Sequence, residues 1–148
     1  MKKLISVILV ILWIIVIFTF SSAPSNKSKK TSGRIVKQVV NVVGSINNKR
    51  ITDKNTLDKI ELVIRKLAHV SEYLILGILV YNLVMVFNLK DPFLIALLLC
   101  ILYSISDEIH QLFVPGRSGM VIDVLIDTIG IYIGIFLCSK FYNKYIKS

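Results

Sequence analysis

Cysteine and acidic residues are scarce in this 148-residue chain, and their scarcity narrows the kinds of site it can build. The two cysteines, Cys100 and Cys138, lie in apolar stretches and form no Cys-x-x-Cys pair, so a disulfide or a cysteine-built zinc site has little support. With 9 acidic residues against 18 lysines and arginines, the formal net charge is +9. The basic residues have no interleaved aromatics and match no nucleic-acid-binding motif, so nucleic acid is not expected as a partner.

Charge is also sparse in four long windows, which excludes a soluble globular domain. The windows cover residues 4–20, 67–89, 93–114 and 120–138, each close to the ~20 residues that a helix needs to cross the hydrocarbon core. We therefore predict an all-α bundle of four transmembrane helices, built as one membrane domain over residues 1–148 and inserted as a multi-pass protein of the cell membrane. A cleavable signal peptide is the weaker interpretation of the first window, because its apolar run is longer than the typical signal core.

A basic loop over residues 21–66 follows the first window and carries 11 of the 18 lysines and arginines. Residues 21–33 are rich in serine and lysine and are predicted to be irregular. In residues 34–43 (RIVKQVVNVV), valine and isoleucine share one side of a helix and polar residues share the other. This pattern predicts a short amphipathic helix, which either lies on the membrane surface against anionic lipid headgroups or packs over the end of the bundle.

A long helix over residues 57–88, with Thr56 as its N-cap, is predicted to start outside the membrane and enter it. Arg65, His69 and Glu72 stand at i, i+4 and i+7, so that one helical stripe carries a cation, an imidazole and a carboxylate. Tyr73 lies beside this stripe, and Lys66 is expected to extend to the lipid headgroups.

The third window begins after Asp91 and Pro92, a predicted N-cap and first helical residue, and its last turns are polar. On the predicted helix they share one side: Ser104, Asp107, Glu108 and Gln111. Pro115 and Gly116 end the helix, and Arg117 follows them.

The fourth window opens with a second acidic stripe. Asp123, Asp127, Gly130 and Gly134 are offset by 0, 4, 7 and 11 residues and therefore share one face. The two glycines form the small-residue pattern that lets another helix approach closely, either within the chain or in a dimer.

These polar residues converge if the chain has four spans, because the loop-side ends of all four spans then meet at one membrane face. Unpaired charges inside a bilayer are costly, so we expect Arg65 and Arg117 to pair with carboxylates there. The predicted polar pocket contains Arg65, His69, Glu72, Tyr73, Asp107, Glu108, Gln111, Arg117, Asp123 and Asp127.

Three segments resemble the VanZ-like family of bacterial membrane proteins: FTFSS (residues 18–22), RKLAHVSEY (65–73) and SDEIHQLFVPGRSGMVIDVLIDTIG (106–130). Many members of that family have Asn where this chain has Asp127. The resemblance implies a membrane protein of the type associated with resistance to teicoplanin and other lipoglycopeptides, and it implies no particular reaction. The family's pattern positions correspond to Arg65, Lys66, His69, Glu72, Tyr73, Asp107, Glu108, Gln111, Phe113, Arg117, Asp123 and Gly130.

Three functions stay open on this basis. The first is lowered susceptibility to teicoplanin-type antibiotics through a lipid-linked or lipoglycopeptide ligand bound at the pocket. The second is an enzyme that acts on a lipid headgroup or phosphate through its acidic and histidine residues, with or without a metal. The third is a polar network that only fixes helix packing. The lysine and arginine count favours residues 21–66 inside, whereas Lys2 and Lys3 favour an inside N-terminus, so the charges predict neither orientation.

Overall fold

The computed structural model describes residues 1–47 and 53–145, which are helical apart from short connections and contain no strand. Four of the helices are long and apolar enough to cross a membrane, namely α1, α3, α4 and α5. The predicted all-α membrane bundle is therefore confirmed. The bounds of the five helices are α1 Lys2–Ser21, α2 Ser25–Asn47, α3 Lys54–Val86, α4 Pro92–Gln111 and α5 Val121–Tyr145.

The start of α3 differs from the prediction by one turn. Asp53 is the N-cap, and its side chain accepts hydrogen bonds from the backbone N–H and the hydroxyl of Thr56, at 3.0 and 2.8 Å. These bonds hold the pKa of Asp53 below its usual range. Thr56 was predicted as the cap, but it is the third helical residue, where its N–H needs an acceptor. With 33 residues, α3 is about 50 Å long and extends beyond one hydrocarbon core.

The helix α2 begins at Ser25, so the prediction of irregular structure up to residue 33 was wrong. The Ser25 N–H donates to Pro115 O at 3.3 Å, and the Ser32 hydroxyl donates to Glu61 Oε1 at 2.7 Å. Tertiary contacts therefore stabilise a segment whose sequence lacks helical periodicity. Val36 is buried, and α2 packs along α3, as expected of a helix over the bundle end. Other apolar residues of α2 stay exposed: Ile35, Val39 and Val42.

The closest helix pairing is between α3 and α5, and glycines on α5 permit it. A Cβ at Gly130 would collide with Val70 O, and one at Gly134 would collide with Leu74 O. The predicted small-residue stripe thus serves packing within the chain. Around this seam lie the most deeply buried apolar side chains: Ile17, Tyr73, Leu76, Cys100, Ile131 and Ile135.

Two aromatic side chains tie α1 to α3 and to α4. The indole N–H of Trp13 donates to Glu72 O at 2.9 Å, and the Tyr103 hydroxyl of α4 donates to Ile14 O at 3.2 Å. Both acceptors are backbone carbonyls inside helices, so each bond fixes the position of one helix against another. The end of α1 is thereby held close to the polar turns of α3 and α4.

Gly130→Ala is expected to destabilise the bundle by about 1–3 kcal/mol, because the added methyl group meets backbone that cannot yield without separating α3 from α5. Thermal unfolding of the purified protein in detergent would measure this loss. Gly33→Ala is the matched control, since a Cβ at Gly33 meets nothing within 4 Å. Equal melting temperatures for the two variants would contradict the close α3–α5 contact.

Candidate functional site

The predicted polar residues lie at one end of the bundle, where the end of α1, the end of α4 and the start of α5 surround the polar turns of α3. They fall into a buried group and a half-buried group. Five are buried: Tyr73, Asp107, Glu108, Gln111 and Asp127. Five are of intermediate exposure: Arg65, His69, Glu72, Arg117 and Asp123.

A buried network joins the end of α4 to the end of α1. Asp107 Oδ2 accepts from the Ser21 hydroxyl at 2.7 Å and from Gln111 Nε2 at 3.1 Å. The same Gln111 nitrogen donates to Glu108 Oε1 at 3.0 Å. One amide therefore bridges two neighbouring carboxylates, which lie on one face because they sit three and four residues before it.

Glu108 also holds the connection between α4 and α5. Its second oxygen, Oε2, accepts from the backbone N–H of Met120 at 3.0 Å. Gly119 packs so tightly on Glu108 O that a Cβ there would collide with it. Glu108 is absent from the linings of the two cavities described below. Its observed contacts are those of an anchor for residues 112–120.

Arg117 pairs with no carboxylate of a described residue, which contradicts the predicted pairing. Its Nε donates to Ala23 O at 3.0 Å, and its two terminal nitrogens donate to Phe20 O at 2.7 Å and to Gln111 Oε1 at 3.2 Å. Phe20 lies in the last turn of α1, and Ala23 lies two residues beyond the end of that helix. Burial, and then the charge of Arg65, lowers the pKa of Arg117. The guanidinium thus spans three elements through neutral acceptors.

His69 of α3 faces Asp127 of α5, with His69 Nδ1 4.0 Å from Asp127 Oδ1. The other Asp127 oxygen, Oδ2, accepts from the Ser104 hydroxyl at 2.8 Å. Three buried atoms have no hydrogen-bond partner among the described residues: His69 Nδ1, Tyr73 Oη and Asp127 Oδ1. Buried polar atoms are rarely left unpaired, so these three have hydrogen-bonding capacity to offer a ligand or water.

Lys66 pairs with Asp123 at 2.9 Å, across the outer edge of the α3–α5 seam. It was expected to extend to the headgroups, but its ammonium turns inward because Asp123 begins the facing helix within its reach. His110 lies aside, as its ring stacks on Phe18 and its Nε2 is 3.0 Å from Ser22 Oγ.

Two cavities flank this cluster, and three residues line both: Arg65, His69 and Arg117. The α3–α5 cavity has a volume of about 270 Å³ and is lined by charged side chains of both signs as well as apolar ones. The α1–α3 cavity has a volume of about 400 Å³ and largely apolar walls. The first is lined by Ser25, Leu62, Arg65, Lys66, His69, Gln111, Gly116, Arg117, Ser118, Met120, Asp123, Ile126 and Asp127.

Arg65 and Glu72 share the α1–α3 cavity without forming an ion pair. Arg65 makes no hydrogen bond or ion pair to a described residue, which contradicts the expected pairing with a carboxylate. Seven residues separate them on α3, about 10 Å along the axis, which keeps the two charges apart. Within residues 1–47 and 53–145, no group of three His, Cys, Asp or Glu side chains could hold a metal ion.

Sequence reasoning missed the part that α1 plays in this cluster. Ser21 donates to Asp107, and the carbonyls at the end of α1 accept from Arg117. A signal was present, because two serines directly follow the apolar run of the first window and lie at the same membrane face as the other polar residues. Backbone carbonyl acceptors, by contrast, leave no signature in the residue types.

The comparisons with curated proteins and with solved structures found no match to this chain. A family model described as VanZ/LLP1 matches residues 6–142, which include all five helices almost to their outer ends and the whole polar cluster. That match extends over nearly all of the 148 residues, and the observed bundle supplies the membrane spans expected of such a protein. The chain is therefore a membrane protein that belongs to the VanZ/LLP1 family.

Proposed function

We propose that this protein lowers susceptibility to teicoplanin-type lipoglycopeptide antibiotics by binding a lipid-linked or lipoglycopeptide ligand at the polar cluster, as a multi-pass protein of the cell membrane. The antibiotic class comes from the resemblance to VanZ-like proteins. The observation that carries the binding role is the α3–α5 cavity, whose lining includes charged side chains of both signs on two membrane-spanning helices. Ionisable residues at such positions are costly and are retained for function.

Packing alone accounts poorly for the side chains around this cavity. A network that only joined helices would pair its buried polar atoms with one another. Here His69 Nδ1 and Asp127 Oδ1, whose residues both line the cavity, lack hydrogen-bond partners among the described residues. Arg65 has a charge with no described counter-ion. Such groups gain more from a polar ligand than from their protein neighbours, which supports a binding site.

A second candidate is an enzyme that acts on a lipid headgroup or phosphate, and the His69–Asp127 pair favours it. An imidazole beside a buried carboxylate can accept a proton from a substrate hydroxyl or water, provided the substrate reaches hydrogen-bonding distance. His69 lines both cavities and Asp127 lines one of them, so both side chains adjoin space that a substrate headgroup could enter.

His69→Asn is expected to abolish the effect on teicoplanin susceptibility, since it removes an imidazole that borders both cavities and donates no structural hydrogen bond in the described region. The measurement is the minimum inhibitory concentration in a susceptible bacterium that expresses each variant at equal membrane levels. Asp58→Asn, an exposed change on the same helix, is the matched control and should keep the wild-type value. A wild-type value for His69→Asn would refute the binding role of this cluster.

Asp127→Asn distinguishes the two candidates in the same assay. An amide at this position can still accept from Ser104, and many VanZ-like members have Asn there, so a binding protein should retain its effect. If the protein is instead an enzyme that needs the carboxylate to support His69, the Asp127→Asn variant should lose the effect on susceptibility. If Asp127→Asn retains the effect on susceptibility and His69→Asn loses it, the result would favour a binding protein over an enzyme.

A further inference from the structure

Arg65 and Arg117 both line the α1–α3 and α3–α5 cavities, and neither forms an ion pair with a described carboxylate. Arg117 donates to carbonyl oxygens and an amide, all of them neutral groups. Arg65 makes no hydrogen bond or ion pair to a described residue and lines both cavities. Burial, and then the charge of Arg65, lowers the pKa of Arg117, while the charges of Asp107, Glu72 and Glu108 act in the opposite direction. The two guanidinium groups therefore adjoin both cavities in a partly desolvated setting, with no described carboxylate within ion-pairing distance.

The α1–α3 cavity extends this charged region with apolar surface. Its walls include Phe20 of α1, Ile35 of α2, and Ile64 and Ala68 of α3. The volume of about 400 Å³ lies within the range of small-molecule sites. A ligand complementary to this arrangement has an anionic group joined to a hydrocarbon chain.

We propose that Arg65 and Arg117 bind the phosphate of a lipid phosphate ester whose hydrocarbon chain occupies the α1–α3 cavity. Guanidinium groups match phosphate oxygens through planar, two-pronged hydrogen bonds, and Arg117 has further N–H groups beyond the three already used. Any polar group attached beyond the phosphate would extend into the α3–α5 cavity, past the residues that line both cavities. The inference rests on the proposed function, for which it names the ligand class.

Glu72 is the carboxylate that lines the α1–α3 cavity in the described part of the chain, and it opposes an anionic ligand. The other side chains of this lining that carry or can gain a charge are Arg65, Arg117 and His69, and His69 lies between Arg65 and Glu72 on α3. Glu72 is about 10 Å beyond Arg65 along the α3 axis, and its carboxylate forms no ion pair with Arg65 or Arg117. Its removal therefore tests the sign of the ligand charge.

The experiment measures binding of dodecyl phosphate to the purified full chain in a neutral maltoside detergent by microscale thermophoresis. Dodecyl phosphate should bind more tightly than inorganic phosphate, because only the former fills the apolar cavity. Arg65→Gln should weaken binding by about tenfold or more, as expected for the loss of a charge-assisted contact. Lys59→Gln, an exposed change of the same charge on α3, is the matched control and should bind as the wild type does. Glu72→Gln should bind at least as tightly as the wild type.

A second pair of variants tests the chain-binding part without altering either arginine. Ala68→Phe places a ring in the α1–α3 cavity and should weaken dodecyl phosphate binding, whereas Leu67→Phe, at an exposed neighbour outside both linings, should not. Equal affinity of wild type and Arg65→Gln would overturn the proposal. So would inorganic phosphate binding as tightly as dodecyl phosphate, or tight binding of dodecyltrimethylammonium that Glu72→Gln abolishes.

The binding and susceptibility assays can refute the two proposals independently. If dodecyl phosphate binds as expected but His69→Asn leaves susceptibility unchanged, the lipid phosphate site stands and the antibiotic role fails. If no variant alters dodecyl phosphate binding but His69→Asn abolishes the effect on susceptibility, the ligand class is wrong and the antibiotic role stands.

Discussion

Arg117→Lys is expected to abolish the proposed effect on teicoplanin susceptibility and to lower the free energy of unfolding by about 1.5–3 kcal/mol, the range for hydrogen bonds to a charged group. Arg117 donates from three nitrogens to Phe20 O, Ala23 O and Gln111 Oε1. The planar guanidinium reaches these acceptors on three sides at once. A lysine ammonium is a single point on a flexible stem and can satisfy only part of this set.

The consequence for function follows from what Arg117 connects. It joins the end of α1 to the end of α4 and lines both cavities, so that its loss would let α1 move relative to the cluster. Minimum inhibitory concentrations and detergent unfolding curves would measure the two effects. Arg34→Lys is the matched control, because Arg34 is exposed on α2. Wild-type behaviour of Arg117→Lys in both assays would show that the three observed hydrogen bonds contribute little.

Asp107→Ala is expected to destabilise the protein far more than Asp123→Ala, although both residues belong to the same predicted polar block. Asp107 is 4% exposed and accepts from Ser21 and Gln111, so its removal leaves two buried donors unpaired. Each unpaired donor costs about 1–3 kcal/mol. The Lys66–Asp123 pair has side chains 33% and 27% exposed, and such pairs contribute about 0–1 kcal/mol.

Unfolding in mixed detergent and denaturant, followed by circular dichroism, would give the difference between the two variants. Ser21→Ala offers an independent check, because it removes one Asp107 contact and should lower stability by a smaller amount than Asp107→Ala. If Asp107→Ala and Asp123→Ala unfold at the same denaturant concentration, the buried network does not stabilise the junction of α1 and α4.

Much of the fold could be predicted from residue types because each relevant rule is local. Apolar length predicted the four spans, Asp91 and Pro92 predicted the start of α4, and the spacing of Gly130 and Gly134 predicted close helix contact. The extent of α2 was not predictable in this way. Its first turns lack apolar periodicity and are held by contacts with residues far along the chain.

For the candidate site, too, some features could be predicted from the sequence and others depended on the tertiary structure. The number of apolar spans predicted that the polar turns of α3, α4 and α5 meet at one end of the bundle, since each span reverses the direction of the chain. Only the tertiary structure decided that Arg117 bonds to the carbonyls of α1, that Asp107 accepts from Ser21 and that Lys66 reaches Asp123. Those choices depend on the rotation and depth of each helix to within an ångström or two, and hydrogen bonds lose their strength over that distance. Residue spacing determines which side chains share a face, and packing determines which donor reaches which acceptor.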